Sequence, residues 1–502
     1  MFTFQEKQDG ARREWAARLL SPVLGFQARF RAATGQGTAC RTEAGARASG
    51  RAKLDSRPKA RSDAPPGKRG WRGWCEEKSG MSAPGRRYQA KIFTAGFAGR
   101  RPSIPCAPHA LERAAEARMS RKAWAYVAGG AGLERTMAAN CSAFSRYSLL
   151  QRMLRDVSTR QLSVELFGRT LPLPILLAPI GVLELAHRQG DLAAARGAAA
   201  AGLPFIVSSQ ASHPLEAIAG AAGDAPRWFQ LYWSAKDEVA ASFLRRAEAA
   251  GYEAIVVTLD TTQLGWRPRD LDGGYLPFLR GRGMANYISD PVFSALPPQP
   301  INPAERPKLG LRALPAVAEL LRHWPRGTLS ALASPQAVMQ AVQQFIAIYS
   351  RPDLTWADLP RLREMTRLPI LVKGILHPED ARKALDAGMD GIIVSNHGGR
   401  QVDGAVASLD MLPAVAEAVA GRVPVLFDGG IRTGADVIKA LSLGARAVLL
   451  GRPYVYGLAL GGEEGVLAVI QALAGELDLT LALMGCQRLD ELDRSVLAPQ
   501  FR

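Results

Sequence analysis

The run PILVKGILHPEDARKALDAGMDGIIVSNHGGRQ, residues 369 to 401, decides the fold. Its two apolar segments, PILVKGI and GIIVSN, are continuous rather than alternating, as strands buried on both faces must be. The segment between them, HPEDARKALDAG, spaces apolar and charged residues with a helical period. Strand, helix and strand in that order make a βαβ unit with parallel strands.

The same unit recurs on either side. Upstream lie PILLAPIGV (174 to 182), PFIVSS (204 to 209), RWFQLYW (227 to 233) and AIVVTLD (254 to 260), and downstream PVLFDGG (424 to 430) and AVLLGRPYVY (447 to 456). Helical stretches such as DEVAASFLRRAEAAG and TGADVIKALSLG separate them. Eight strands with their crossovers predict an α/β fold, a (β/α)8 TIM barrel. Residues 105 to 145 read as an N-terminal helical segment of one or two helices, placed as a lid. One connection departs from the rhythm: the insertion 261 to 356 carries the Pro-rich run LPPQPINPAERP and amphipathic stretches near 312 to 324 and 334 to 349. A connection this long in a barrel is read as a lid, a partner surface or a solvated insertion.

Composition narrows the class. The chain has 502 residues and a formal charge of +17, but residues 1 to 100 hold 21 Lys+Arg against 8 Asp+Glu. The other 402 residues carry 42 basic and 38 acidic side chains, so the barrel is near neutral and offers no track for nucleic acid. Residues 1 to 85 lack periodicity and read as a disordered basic extension, with Met81 as an alternative start. Five scattered cysteines (Cys40, Cys75, Cys106, Cys141, Cys486) show no CxxC or metal spacing. No disulfide framework or metal site is expected, and a reducing cytoplasmic compartment fits. No run of 18 apolar residues suggests a transmembrane segment.

Barrel enzymes build their sites at the C-terminal ends of the strands. There the sequence places Gln230 and Tyr232, Thr258 and Asp260, Lys373, and the group Ser395, Asn396, His397 and Arg400. In SNHGGRQ, His397 follows a buried strand and precedes two glycines that admit a ligand to the backbone. Arg400 can hold a carboxylate while the imidazole takes a proton, and Asp260 can stabilise the imidazolium. DGGIRTG (428 to 434) and LGRP (450 to 453) supply glycines and two arginines where barrels bind phosphate. Lys373 sits in an apolar strand, which is costly unless it faces an anion or an electron-rich ring, serves as a Schiff base, or snorkels to the rim.

Taken together, YVAGGAG, LLAPIGV, FQLYW, TLDT, LVKGI, SNHGGRQ, DGGIRTGADVIKAL and LGRP, in this order over residues 105 to 502, resemble the FMN-dependent L-2-hydroxy acid oxidase and dehydrogenase family. GWRPRDL (265 to 271), PFLRG (277 to 281) and NYISDPVF (286 to 293) are most similar to its lactate 2-monooxygenase branch. The resemblance implies that Tyr126, Arg267 and Arg400 hold the substrate carboxylate and Tyr232 its hydroxyl end. It makes His397 the base, Asp260 its support, and Lys373 the partner of reduced FMN. It further implies flavin contacts from Pro179, Ile180, Gly181, Ser208, Gln230, Thr258 and Ser395, and phosphate contacts from Asp428, Gly429, Gly430, Arg432, Gly451 and Arg452.

The implied reaction is oxidation of a small L-2-hydroxy acid, L-lactate above all, by oxygen with oxidative decarboxylation. The alternatives are an oxidase that releases peroxide and a dehydrogenase that passes electrons to a quinone or cytochrome. A homo-oligomer, tetramer or higher, is implied by the resemblance alone. Two features have no counterpart in it: the N-terminal extension and the length of the insertion. Gly181 stands where peroxide-releasing oxidases carry alanine, which leaves room beside the flavin.

Overall fold

Eight short parallel strands close on themselves: β1 (Ile175–Leu177), β2 (Phe205–Ser208), β3 (Arg227–Leu231), β4 (Ile255–Thr258), β5 (Ile370–Ile375), β6 (Gly391–Val394), β7 (Val425–Phe427) and β8 (Ala447–Leu450), with β8 pairing back onto β1. The computed structural model describes residues 84 to 297 and 310 to 498, all within the unit Pro66–Arg502. Every expected strand is present, but each is trimmed at an end. AVLLGRPYVY is the largest correction, because the strand stops at Leu450 and Arg452 begins a helix. Pro453 explains this, since proline is readily accepted in the first turn of a helix, where its missing N–H has no partner to lose.

Most strand residues are fully buried, as a helix layer outside and packed side chains inside demand. Inward residues Leu176, Ile206, Trp228, Val256, Leu371, Ile393, Leu426 and Leu449 form one apolar cluster inside the barrel. The hairpin Val164–Leu166 and Arg169–Leu171 adds Val164, Leu166 and Leu171 to that cluster and plugs its N-terminal end. Its two-residue turn, Phe167 and Gly168, has positive φ at both positions, the conformation that matches strand twist. Phe167 meets the Trp228 ring edge-on at 5.6 Å. The bottom is thereby closed, and ligands must enter from the opposite end.

The N-terminal segment holds more helix than expected. α1 (Pro84–Phe97) begins where the sequence reads as disordered, and α2 (Pro108–Arg118), α3 (Arg121–Ala128) and α4 (Arg135–Ser142) follow it. The remaining extension and Met81 lie outside the described residues. The cause of α1 is tertiary. Gly85 packs so closely on a C-terminal helix that a Cβ would lie 2.4 Å from the Gly475 carbonyl oxygen. Its N–H donates to the buried Asp478 carboxylate at 2.9 Å, which Arg160 also grips at 2.6 Å.

The crossover helices are α5 (Gly190–Ala201), α6 (Leu215–Ala222) and α7 (Asp237–Ala249) after β1 to β3. The insertion contains α8 (Pro268–Asp272), α9 (Leu314–Arg322), α10 (Thr328–Ala333) and α11 (Pro335–Ile348), besides the helical turns Ala285–Ile288 and Pro291–Ala295. Both amphipathic stretches are therefore helices. The Pro-rich run lies outside the described residues beyond Pro297. α12 (Leu359–Met365), α13 (Pro378–Asp386), α14 (Ser408–Val419), α15 (Gly434–Ser442) and α16 (Arg452–Leu483) complete the ring.

Among the described residues α16 is the one helix long and apolar enough to cross a membrane by length and composition. Half of its apolar window is buried inside the protein, and it bends at Gly461 and Gly462 to pack on α5, α1, α2 and α15.

Candidate active site

The open end of the barrel holds a cleft of about 1160 Å³ of non-atom space, its mouth included. Strand ends, α3, the β6 loop and the insertion all contribute to its lining.

At its centre stands His397, directly after β6. Its φ of +59° is left-handed, a conformation costing a non-glycine residue about 1–2 kcal/mol. Hydrogen bonds hold it there. The Ser395 hydroxyl accepts its N–H at 3.0 Å, and Asn396 exchanges amide hydrogen bonds with Asn140 of α4 at 2.7 and 2.8 Å. The result points Nδ1 at Asp260 Oδ1, 2.7 Å away.

Asp260 reaches that position because β5 bulges between Lys373 and Ile375. Gly374, at φ +108°, is required at the bulge, since a Cβ there would lie 2.7 Å from Asp260 Cβ. Burial disfavours the Asp260 charge, but the His397 ring and the Lys373 ammonium outweigh it and hold the carboxyl at about 2. Burial also lowers the pKa of His397; Asp260 resists this, while Lys373 and Arg267 reinforce it. The imidazole is therefore neutral at pH 7. With Nδ1–H donated to Asp260, the other nitrogen is left with a lone pair.

Three arginines crowd one wall. Arg400 donates to Tyr126 O at 2.7 Å and Gly129 O at 2.6 Å, and lies 5.2 Å from the centre of the Tyr126 ring. Burial pushes its pKa down to about 9, helped by Arg267 and Arg452. Arg267 caps α8 and donates to Arg400 O at 3.2 Å. Like-charged guanidinium groups held this close in a buried site favour an anion between them. The Tyr232 phenol lines the same region, its pKa raised by burial and by Asp260.

A second part of the cleft runs toward β7 and β8. Pro179, Ile180 and Gly181 line one side, and Asp428, Gly429, Gly430, Arg432, Gly451 and Arg452 the other. Gly430 is at φ +86°, and a Cβ there would strike the Asn140 carbonyl oxygen at 2.1 Å. Lys373 Nζ donates to Ser395 at 2.8 Å and pairs with Asp428 Oδ2 at 3.1 Å. Burial opposes its charge, yet Asp428 and Asp260 raise its pKa, so it stays ionised. Asp428 Oδ1 is buried and has no hydrogen-bond partner. Arg452 donates to Val127 O, Gly398 O and Gly129 O, tying α3 to the β6 loop.

These features fit FMN. A buried cation faces the middle of the cleft, and an unpartnered carboxylate oxygen can accept a hydroxyl. Two arginines beside the N-terminus of α16 suit a phosphate.

Ser208, Gln230, Thr258, Ser395 and Asp260 do not line the cleft but lie directly beneath it. Gln230 ties β2 to β4, accepting from Ser208 Oγ at 3.2 Å and donating to Thr258 Oγ1 at 3.0 Å. Sequence reasoning missed several residues: Gln210, Thr261, Leu264, Leu276, Phe278 and Tyr349 in the lining, and Gln401 behind it. Thr261, Phe278 and Gln401 were within legible motifs, TLDT, PFLRG and SNHGGRQ. Tyr349 follows α11 and stacks on Phe345 at 5.2 Å, with Phe278 at 6.2 Å. The insertion thus closes one end of the cleft with aromatic side chains.

The family model described as FMN-dependent dehydrogenase matches residues 115–499. An L-lactate oxidase of Lysinibacillus sphaericus is 42% identical over 382 residues, covering 76% of this chain and 90% of its own. The FMN-dependent alpha-hydroxy acid dehydrogenase qulF of Penicillium citrinum is 40% identical over 408 residues, covering 81% and 94%. Among solved structures, mandelate oxidase with (S)-4-hydroxymandelic acid superimposes with a TM-score of 0.64 at 36% identity, over 78% of this chain and 98% of that one.

Proposed function

This chain belongs to the FMN-dependent dehydrogenase family and oxidises 2-hydroxy acids with FMN, and we propose that its substrate is L-lactate, oxidised by dioxygen with decarboxylation. The net reaction is L-lactic acid plus O2 giving acetic acid, CO2 and water. One observation carries the substrate class: a neutral His397 backed by Asp260 shares the cleft with two arginines and Tyr232.

Tyr126, Arg267 and Arg400 bind the carboxylate, and Tyr232 orients the hydroxyl end. His397 then takes a proton through the nitrogen not bonded to Asp260, and the resulting imidazolium is stabilised by that carboxylate. Bound FMN supplies the two-electron acceptor, with Lys373 beside it to balance added negative charge.

A small substrate side chain is supported by the aromatic rings of Phe278 and Tyr349 in the cleft lining. L-lactate oxidases among the relatives support lactate itself. Decarboxylation is supported by the likeness of GWRPRDL, PFLRG and NYISDPVF to lactate 2-monooxygenase, and by the closure that PFLRG and NYISDPVF build with α9 and α11. Exposed Leu311, Leu314, Leu329 and Leu332 on the insertion support a homo-oligomer.

The test is anaerobic reduction of the yellow holoenzyme by L-lactate, followed by admission of oxygen and quantification of products. Acetate without free peroxide establishes the proposal. Pyruvate with peroxide makes the enzyme an oxidase. Slow reoxidation makes it a dehydrogenase, and an unbleached flavin removes lactate as substrate.

A further inference from the structure

Gln401 ends the motif SNHGGRQ, lies outside the cleft lining, and has no part in the mechanism above. Its side chain nonetheless joins the two halves of that mechanism. Nε2 donates to the backbone carbonyl of Asp260 at 2.8 Å and to that of Gln263 at 2.9 Å. Oε1 accepts from Arg267 Nη2 at 2.9 Å. The orientation of the amide is determined, because carbonyl oxygens only accept and a guanidinium only donates. A flipped amide would lose all three bonds.

The two loops also touch. A Cβ on Gly265 would lie 2.4 Å from Arg400 O and 2.8 Å from Gln401 Cα, so the 261 to 267 segment rests directly on residues 400 and 401. Arg267 is thereby tied to two consecutive residues of the loop that carries His397.

We propose that Gln401 is a positioning residue that holds Arg267 and Asp260 in one fixed relation, so that carboxylate binding and the His397–Asp260 pair are set by the same amide. This rests on the reading that Arg267 binds the substrate carboxylate and His397 takes the proton. A merely structural glutamine would affect stability alone. A coupling glutamine affects two separable site properties together.

The test uses FMN-loaded Gln401→Met, which keeps length and removes every hydrogen bond, and Gln401→Glu, which keeps the Arg267 contact but presents an acceptor to both carbonyls. Propionate, an unreactive carboxylate, is titrated against the flavin absorbance to read Arg267. The rate constant of anaerobic flavin reduction is measured against pH, over a panel of 2-hydroxy acids, to read His397, which faces Asp260, Lys373 and Arg267. Gln401→Met is expected to weaken propionate about tenfold or more, the loss of one hydrogen bond to a charged group, and to lower the pH midpoint of reduction. Gln401→Glu is expected to weaken propionate as well, because its carboxylate competes for Arg267, and to slow reduction.

Propionate binding within twofold of the parent in both variants overturns the proposal. So does weakened propionate with an unmoved pH midpoint and reduction rate, since the coupling would then be absent. Should lactate fail to bleach the parent while another 2-hydroxy acid succeeds, the substrate assignment falls and both readouts still judge Gln401.

Discussion

Replacing Asp260 by asparagine removes one charge and leaves the size of the side chain unchanged. The structure sets the magnitude of the effect. Asp260 is held at about 2 against an ordinary 3.8, which corresponds to about 2.5 kcal/mol in favour of the ionised form. That is the net of burial, which opposes the charge, against the attraction of His397 and Lys373. Lys373 shares in that net, so the part owed to the His397 pair is taken as that of a hydrogen bond to a charged group, about 1.5–3 kcal/mol; the attraction is mutual, and the imidazolium formed on proton abstraction gains it. Its loss slows the step by roughly 10- to 150-fold.

The assay is stopped-flow reduction of the flavin by substrate without oxygen, which isolates this step from reoxidation. Asp260 is the main group raising the pKa of His397 against burial. In the parent the rate rises with pH through a midpoint below 6.5. In the variant the plateau falls and the midpoint moves lower still. A plateau within threefold of the parent, or a midpoint that moves upward, refutes the reasoning. Stability follows the depressed carboxyl: the contribution of Asp260 is complete above about pH 4 and is lost as pH falls toward 2. The asparagine variant therefore loses the part of the parent's acid sensitivity that lies in that window.

Lys373→Met leaves Asp428 buried without its cation; it is expected to lose about 3–5 kcal/mol of stability and to release FMN on dilution, measured by calorimetry and flavin fluorescence. Arg400→Lys retains a charge but loses the planar fork that also bonds Tyr126 O and Gly129 O; KM for the hydroxy acid is expected to rise at least tenfold, read in steady-state kinetics. Asp478→Ala uncouples α1 from α16 and strands Arg160, whose side chain is 7% exposed; a loss of about 3–5 kcal/mol is expected in chemical denaturation, with proteolysis appearing first in residues 84 to 97.

The barrel was legible because its strands are buried on both faces. Only continuous aliphatic runs satisfy that environment, so PILVKGI and GIIVSN could be read without knowing their neighbours. His397, Asp260, Lys373 and Arg400 were legible for a related reason: Lys373 interrupts such a run and the other three follow one, each a charged or polar group where a core would exclude it. Local sequence stated these requirements, and the eight-stranded closure met them.

Tertiary structure decided what depends on contact between distant segments. α1 carries no strong signal of its own, and its place comes from Gly85 meeting Gly475 and Asp478, nearly four hundred residues away in the chain. Strand ends were overestimated because proline and glycine after β8 suit the first turn of a helix as well as a loop, and packing made the choice. Gln401, Thr261 and Tyr349 stood in recognised segments without an assigned part, since a glutamine amide or a tyrosine ring acquires its role only from the partners the fold brings to it. Sequence determined which residues had to be buried and which could carry charge; the pairing of those charges, and the room left between them, came from the closing of the barrel.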